Sequence, residues 1–245
     1  MQIWGLTDIG LVRRDNQDAY RIGSSDSSGH QIAVVCDGMG GMRGGSIASN
    51  IAADVFLHEV QTNLRGNMTP EQIREVASFA TSVANTAIRS RAAEDELLTG
   101  MGTTLVSAIS YGDGVVVSNV GDSRAYHISE AGIRRVSKDH SLVEKMIDNG
   151  DITAEEARNH PQRNYITRAL GPEESTLCDG FVVSANRGDY ILLCTDGLVE
   201  TVTDEEMQRE ILQAERPEDS LIRMLEISRR HGAPDNVTAV LMKME

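Results

Sequence analysis

Four aspartates lie where an apolar, strand-like run of residues meets a glycine or a turn. Asp37 follows residues 32–36, Asp122 follows residues 115–121, Asp196 follows residues 190–195, and Asp235 shortly precedes residues 237–241. Carboxylates concentrated at the ends of rigid strands are unfavourable unless a cation compensates their charge. Oxygen donors of this kind suit Mg²⁺ or Mn²⁺ better than Zn²⁺. The pattern therefore predicts a divalent-metal site.

Strands and helices must bring these aspartates together, and the apolar pattern predicts both. Strand-like runs occupy residues 3–6, 32–36, 103–110, 115–120, 123–128, 132–136, 181–183, 190–194 and 237–242. Helical patterns begin near residue 46, after Thr69, at 142–149, after Thr153, near 204 and at 217–230. Strands in two groups and helices in two pairs indicate an α+β protein, a β-sandwich between helices. Periodicity alone leaves other α+β topologies open.

One segment, residues 141–176, departs from this pattern. It combines two short helices with a polar stretch that contains His160, Pro161 and Arg163. We expect it to form an insertion over the sheet rather than part of the core. No low-complexity tract, long linker or internal repeat appears, so residues 1–245 are predicted to form a single domain.

The composition disfavours some classes of partner. The chain has 37 acidic and 23 basic residues and a net charge of −14, which argues against nucleic acid and anionic membranes as partners. Cys36, Cys178 and Cys194 have no paired metal spacing, as in a protein of a reducing cytoplasm. The first residues lack the pattern of a signal peptide, and no apolar run is long enough to cross a bilayer. We therefore expect a soluble, cytoplasmic protein.

Seven short blocks, in order along nearly the whole chain, resemble the motifs of the metal-dependent protein phosphatases of the PP2C type (the PPM family). The first block runs from Thr7 to Asp18 and contains Arg13, Asn16 and Asp18. The others are Asp37-Gly38-Met39-Gly40-Gly41, Gly102-Thr103-Thr104, Gly121-Asp122-Ser123-Arg124, Asp139-His140-Ser141-Leu142, Thr195-Asp196-Gly197-Leu198 and Asp235-Asn236-Val237-Thr238. One block alone is weak, but seven in order are highly specific. The short chain and the sequence Gly-Met-Gly-Gly at residues 38–41 resemble those of the bacterial branch of this family.

The resemblance implies a fold and an activity. The fold would be a four-layer α-β-β-α sandwich with a flap, which would fall on residues 141–176. The activity would be metal-dependent hydrolysis of phosphoserine and phosphothreonine in proteins. A hydroxide bridging two Mn²⁺ or Mg²⁺ ions would attack phosphorus in line, with no phosphoenzyme. The implied partners are phosphoproteins and a cognate Ser/Thr kinase, and we take a monomer as the default.

The resemblance also implies roles for individual residues. Asp37 would bridge the two ions, and Asp196 and Asp235 would complete the shell of one of them. The carbonyl of Gly38 would bind the second ion, where a glycine allows close approach of the backbone. Asp18 would hold metal-bound water in the outer shell, and Asp122, with Asp196, would bind a third, weaker metal. Arg13 would grip the phosphate oxygens.

Several of these positions have other interpretations. Arg14 could bind the phosphate in place of Arg13, and His140 could be an acid, although we favour a structural role beside the helix that begins near Ser141. We expect Asn16 to brace its loop. Gln17 stands where many relatives carry Glu, which affects one water-mediated metal contact. Met39 and Met42 stand where relatives carry His, so the general acid is unidentified and metal-bound water could donate the proton.

Other mechanisms and classes of protein compete with the phosphatase. A cysteine phosphatase needs Arg six positions after its Cys, but Met42, Ser184 and Glu200 stand there. The glycine-rich stretch 38–43 lacks the pattern of a nucleotide-binding loop. A two-metal phosphodiesterase or nuclease is disfavoured by the acidic surface. The main alternative is a catalytically silent relative that binds a phosphoprotein or a kinase, although every aspartate of the motif is present.

Overall fold

The computed structural model describes residues 1–25 and 29–245, except for the side chains of residues 42 and 43. Within these ranges it contains the following strands, in chain order: β1 (Gln2–Asp8), β2 (Asp18–Ser24), β3 (Gln31–Met39), β4 (Gly102–Thr103), β5 (Leu105–Tyr111), β6 (Gly114–Val120), β7 (Arg124–Ser129), β8 (Gly132–Arg135), β9 (Asp179–Ser184), β10 (Tyr190–Cys194) and β11 (Val237–Lys243). The α-helices in the same ranges are α1 (Gly41–Asn63), α2 (Pro70–Ala93), α3 (Leu142–Asn149), α4 (Ala154–Arg158), α5 (Asp196–Val199), α6 (Asp204–Gln213) and α7 (Pro217–Arg230), and a short 3₁₀ helix spans Glu96–Leu98.

The strands form two antiparallel sheets. One sheet has the order β1-β11-β10-β7-β8, and the other has the order β2-β3-β5-β6-β9, with β4 paired to β3. Helices α1 and α2 pack on the second sheet, whereas α6 and α7 pack on the first. The predicted α+β class and the four-layer α-β-β-α sandwich are therefore confirmed.

Three layers of apolar side chains hold these four layers of backbone together. Successive residues of a strand point to opposite faces of its sheet. In β3, Ile32 and Val34 accordingly enter the core beneath α1 and α2, whereas Val35 enters the core between the sheets. A third core lies between the first sheet and helices α5–α7. Full burial of one such side chain stabilises the fold by about 1.5–3 kcal/mol.

Local sequence signals set the helix ends. The side chain of Thr69 accepts a hydrogen bond from the Gln72 amide, and Gln72 reciprocates, so α2 begins with the predicted capping box. Thr153 and Glu156 do the same for α4. Helix α1 begins at Gly41, five residues before the apolar pattern indicates, because its first turn is glycine-rich and has no apolar face to reveal it.

Residues 141–176 contain α3, α4 and two isolated β-bridges, Thr103–Leu170 and Ser141–Ile166. Helix α3 has no buried residue, as expected of a segment outside the core. Leu170, by contrast, is fully buried in the core beneath α1 and α2, so the segment is anchored at its far end. No helix in the described part of the chain combines the length and the apolarity needed to span a membrane.

Candidate metal centre

Asp18 and Asp37 are direct partners in the pairing of β2 with β3. In β3, Asp37 follows Val35 with a spacing of two, so its side chain points into the space between the two sheets. Asp196 and Asp235 lie beside the same opening in the other sheet, at the end of β10 and the start of β11. The strands therefore bring four predicted site residues from both sheets to one end of the sandwich.

A chain of threonine contacts joins the two sheets at this end. Thr195 Oγ1 donates a hydrogen bond to Asp18 Oδ2 over 2.9 Å, and the Thr238 amide donates to Thr195 Oγ1 over 3.0 Å. Asp18 is only 7% exposed. Thr195 therefore fixes the Asp18 carboxylate against the opposite sheet, a role that the sequence pattern did not reveal.

Thr104 links Asp37 to the turn that carries Asp122. Its hydroxyl accepts a hydrogen bond from the Asp37 amide over 2.9 Å and lies 2.7 Å from Ser123 Oγ. Gly121 supplies the turn with a φ of +104°, in the region that glycine tolerates best. Asp122 is buried beside this turn. The structure thus brings the proposed ligand of the third ion to the same end of the sandwich as Asp37.

The acidic side chains at this opening are hard to ionise together. Burial, followed by the charge of Asp196 and Asp235, raises the pKa of Asp18 to about 7. Burial, followed by the charge of Glu200, raises the pKa of Asp196 to about 6. Burial and neighbouring carboxylates also hold the pKa values of Asp37 and Asp122 well above their usual range. Positive charge placed among these groups would favour their ionised forms.

The donor set fits hard divalent cations. Asp18 Oδ1, Asp122 Oδ1 and Asp196 Oδ1 are buried without a hydrogen-bond partner among the described residues. Such oxygens are unusual in a folded protein and indicate a missing partner such as an ion or water. Within residues 1–25 and 29–245, no group of three or more Asp, Glu, His or Cys side chains is already arranged to hold an ion. The carboxylate oxygens present are nevertheless the donors that Mg²⁺ and Mn²⁺ prefer.

Gly38 lies where the backbone has no room for a side chain. A Cβ atom at this position would be 2.1 Å from Gly45 O and 2.5 Å from Gln17 O. The Gly38 amide donates a hydrogen bond to Gln17 O over 3.1 Å. The close approach of the backbone at Gln17 and Gly45 therefore explains why residue 38 is a glycine. Binding of the second ion by the Gly38 carbonyl remains a prediction.

Arg13 reaches the site from the loop between β1 and β2. Its Nη2 lies 2.5 Å from Asp235 Oδ2, and its side chain is 56% exposed. Arg14 makes no hydrogen bond or ion pair with any residue that the structure describes. Of the two arginines considered for phosphate binding, Arg13 is therefore the one whose guanidinium adjoins the acidic cluster. This cluster consists of Asp18, Asp37, Asp122, Asp196 and Asp235.

The remaining sequence candidates have structural contacts. Asn16 braces its loop, because its Nδ2 donates to Thr7 Oγ1 and its Oδ1 accepts from the Asp18 amide. His140 Nδ1 accepts from the Gly121 amide over 3.0 Å, while the Ser141 side chain caps α3. Gln17 Nε2 donates to Gly41 O. The side chain of Met42 lies outside the described residues.

Comparisons with known proteins agree with the fold described above. The family model described as protein phosphatase 2C matches residues 13–242. A serine/threonine phosphatase from Listeria monocytogenes, stp, is 36% identical over 240 residues, which cover 98% of this chain and 94% of that protein.

Two solved structures resemble the whole chain. The serine/threonine phosphatase Stp1 from Staphylococcus aureus has a TM-score of 0.91 and 34% identity, covering 100% of this chain and 95% of that one. The catalytic domain of the serine threonine protein phosphatase PstP, in complex with two manganese ions, has a TM-score of 0.86 and 30% identity, covering 100% and 98%. The fold of both relatives thus extends over the acidic cluster and the segment 141–176.

Proposed function

The chain belongs to the protein phosphatase 2C family, and on that basis we propose that it is a metal-dependent phosphatase of phosphoserine and phosphothreonine in proteins. One observation supports this most directly. Raised pKa values occur at one end of the sandwich, in Asp18, Asp37, Asp122 and Asp196. The guanidinium of Arg13, which can bind a phosphate, contacts Asp235 at the same end. Perturbed acids beside a cation are expected of a catalytic site rather than of a structural one.

The chain's carboxylates would hold two ions of Mn²⁺ or Mg²⁺. We assign Asp37 to both ions, Asp196 and Asp235 to one of them, and the Gly38 carbonyl to the other. Asp18 would orient water at the edge of the shell, and Asp122 with Asp196 would hold a third ion. When bound, these ions would supply Lewis acidity and make water a nucleophile near neutral pH.

The other residues would orient the substrate. Arg13 would grip two phosphate oxygens, which presents phosphorus to the water in line. Its present partner, Asp235, would keep the guanidinium extended over the site until substrate arrives. Thr195 would hold the Asp18 carboxylate in one orientation. Because Met39 carries no acidic proton, solvent water would protonate the leaving oxygen.

The substrates would be proteins phosphorylated by a Ser/Thr kinase of the same cell, with the phosphatase acting as a cytoplasmic monomer. Among the described residues, Cys36, Cys178 and Cys194 are free thiols, which is the usual state in a reducing compartment. A silent regulator that binds phosphoproteins would not need four carboxylates and an arginine in this arrangement, so we place it second.

The deciding experiment is hydrolysis of a phosphothreonine peptide after chelation and after restoring Mn²⁺ or Mg²⁺. We expect turnover that follows the metal and is lost in Asp37→Ala. Asp113→Ala, in the exposed β5–β6 turn, is the matched control and should keep full activity. Metal binding without any turnover in the wild type would support the silent regulator. Undiminished turnover in Asp37→Ala would refute the metal assignment.

A further inference from the structure

Asn236 makes three hydrogen bonds with one loop that is distant in sequence. Its Nδ2 donates to Ile9 O over 2.9 Å and to Asp15 O over 3.1 Å, and its Oδ1 accepts from the Gln17 amide over 2.9 Å. The side chain belongs to a residue that is 5% exposed, between Asp235 and the start of β11. The carboxamide therefore holds both ends of the loop formed by residues 9–17.

Few other side chains could replace this carboxamide. Two of the three backbone groups are carbonyls that need donors, and the third is an amide that needs an acceptor. Asn offers both kinds of group at one short reach. Asp would offer no donor, and Ala would leave three backbone groups without this partner. A buried backbone group without a partner is strongly unfavourable.

The same loop is also held near its middle. The Leu11 amide donates to Ala233 O over 2.9 Å. Ala233 has a φ of +30°, which is rare for a residue with a side chain. Gly10 lies so close to this turn that a Cβ atom there would be 2.2 Å from Asp235 O. The loop is thus fastened to the segment 233–236 at three places.

Arg13 lies between these fastening points, and its guanidinium contacts Asp235, the neighbour of Asn236. We propose that Asn236 is a positioning residue: its carboxamide fixes the 9–17 loop so that Arg13 faces the acidic cluster, and it thereby sets the affinity of the site for phosphate. This inference rests on the proposed function, in which Arg13 is the phosphate ligand. It assigns no contact between Asn236 and substrate.

Asn85 provides a matched control elsewhere in the fold. It is 2% exposed, its Nδ2 donates to Glu173 O and Glu174 O, and its Oδ1 accepts from the Gly171 amide. The type of residue, the burial and the pattern of bonds are the same, but Asn85 fastens a loop that lacks Arg13. Asn85→Ala therefore reports the purely structural cost of removing such a clamp.

The test compares Asn236→Ala with Asn85→Ala in the intact, metal-loaded protein. For Asn236→Ala we expect KM for a phosphothreonine peptide and Kd for inorganic phosphate to rise about tenfold, with kcat changing much less. For Asn85→Ala we expect a lower melting temperature with KM and Kd unchanged. Equal values of KM and Kd in wild type and Asn236→Ala would overturn the proposal. If Asn236→Ala fails to fold, the smaller change Asn236→Ser is measured in its place.

A double-mutant cycle with Arg13→Ala separates positioning from other effects. If Asn236 acts through Arg13, Asn236→Ala should weaken phosphate binding by no more than about twofold in the Arg13→Ala background. Additive losses in the cycle would refute this coupling.

Hydrogen exchange tests the clamp without relying on turnover. The Gln17 amide should lose protection in Asn236→Ala and keep it in Asn85→Ala. If the wild type hydrolyses nothing, the proposed function fails, while phosphate Kd and Gln17 exchange still decide whether Asn236 positions Arg13. Unchanged protection of Gln17 in Asn236→Ala would count against the clamp.

Discussion

Asp37 is paired with Asp18 on the neighbouring strand. Two carboxylates on directly paired residues oppose each other's ionisation. Burial, reinforced by the charges of Asp18, Asp196 and Asp122, holds the pKa of Asp37 well above its usual range. A raised pKa in the folded state means that this group favours folding in its protonated form and opposes folding as pH rises through the folded pKa. At neutral pH, where Asp37 is ionised in the unfolded chain, its raised folded pKa therefore weakens the metal-free protein.

The first prediction concerns Asp37→Asn, which resembles the protonated form. In chelator at pH 7 we expect the variant to be more stable than the wild type by about 1 kcal/mol or more, because Asn needs neither a buried charge nor an extra proton and has the same volume. Thermal melting measures this difference. At pH 4 the difference should shrink, because Asp37 then becomes protonated in the unfolded chain as well. A variant less stable than the wild type at pH 7 would contradict the electrostatic argument.

The second prediction concerns the two adjacent arginines. Arg13→Ala should raise KM for a phosphothreonine peptide by about tenfold to a hundredfold, because charge-assisted bonds to phosphate are lost from ground and transition state alike. Arg14→Ala, which removes the same charge one residue away, is the control and should leave KM nearly unchanged. Steady-state kinetics at fixed ionic strength distinguishes the two variants. The reverse ranking would assign the phosphate to Arg14.

At the scale of residues, the sequence predicts which side chains could bind metal ions or phosphate. It does not predict which hydrogen bonds position those side chains. Asp37, Asp122, Asp196 and Asp235 were recognisable because each adjoins an apolar run. The roles of Thr195 and Asn236 were not, since their partners lie 177 to 227 residues away in the chain. Contacts over such separations depend on strand pairing, which no local pattern encodes.

At the scale of elements, a network of side chains connects the segment 141–176 to the sheet. Arg168 Nη1 donates to Asp179 Oδ1 over 2.7 Å, and His140 Nε2 lies 3.2 Å from Asp179 Oδ2. Because the Gly121 amide donates to His140 Nδ1, the neutral ring carries its proton on Nε2 and can donate it to Asp179 Oδ2. Arg168 Nη1, itself a donor, lies 2.9 Å from the same Nε2. This network therefore joins the start of β9, the base of the segment and the turn that carries Asp122.

The third prediction is the pH dependence of this network. Burial lowers the pKa of His140, and the nearby Arg168 adds to this effect. A folded pKa below the unfolded one means that neutral His140 favours folding above about pH 6.5 and that this contribution is lost as pH falls. Protonation would also place a proton on Nδ1, opposite the Gly121 amide. Protection of that amide against exchange should therefore fall between pH 7 and pH 5.

Measuring this effect requires correction for the intrinsic pH dependence of exchange. Below the folded pKa we expect protection of the Gly121 amide to fall by up to about tenfold per pH unit. The Ala125 amide, which donates to Ser137 Oγ, is a control without a titratable partner. Equal changes for both amides would show that His140 does not govern the turn.

Among the elements, the sequence predicted most strands and helices because their apolar faces are regular. Strand β2 was missed because Asp18–Ser24 is an edge strand with a mixed, partly exposed pattern. Helix α5 was missed because a run of four residues is too short to show helical spacing. The two sheets and their strand order came from pairing across the molecule, which the periodicity left open.

At the scale of the whole molecule, we expect the acidic cluster to make stability depend on metal. The two sheets each contribute carboxylates to the same opening, so an ion bound there would hold both halves of the sandwich together. A ligand that binds only the folded state stabilises it by about 2.7 kcal/mol at a hundred times its Kd. The fold itself should therefore respond to chelation.

The fourth prediction follows from this linkage. Saturating Mn²⁺ should raise the melting temperature by about 5–10 °C for a domain of this size. Asp196→Asn, which removes one proposed ligand, should lose most of the increase, whereas Asp113→Asn in the exposed turn should keep it. Calorimetry with and without chelator measures the shift. If the melting temperature of the wild type is the same with and without Mn²⁺, a metal site between the sheets is refuted.

Strand β11 lies between β1 and β10 in its sheet, although it follows both of them in the chain. During biosynthesis, β1 and β10 therefore emerge from the ribosome without the strand that must pair with each of them. Such long-range pairing is slow, because the ends of a large loop must first meet. Asp235 and Asn236 arrive with β11, so the sheet closes and the acidic cluster is completed in the same late step. A nascent chain should accordingly remain inert until that strand is inserted.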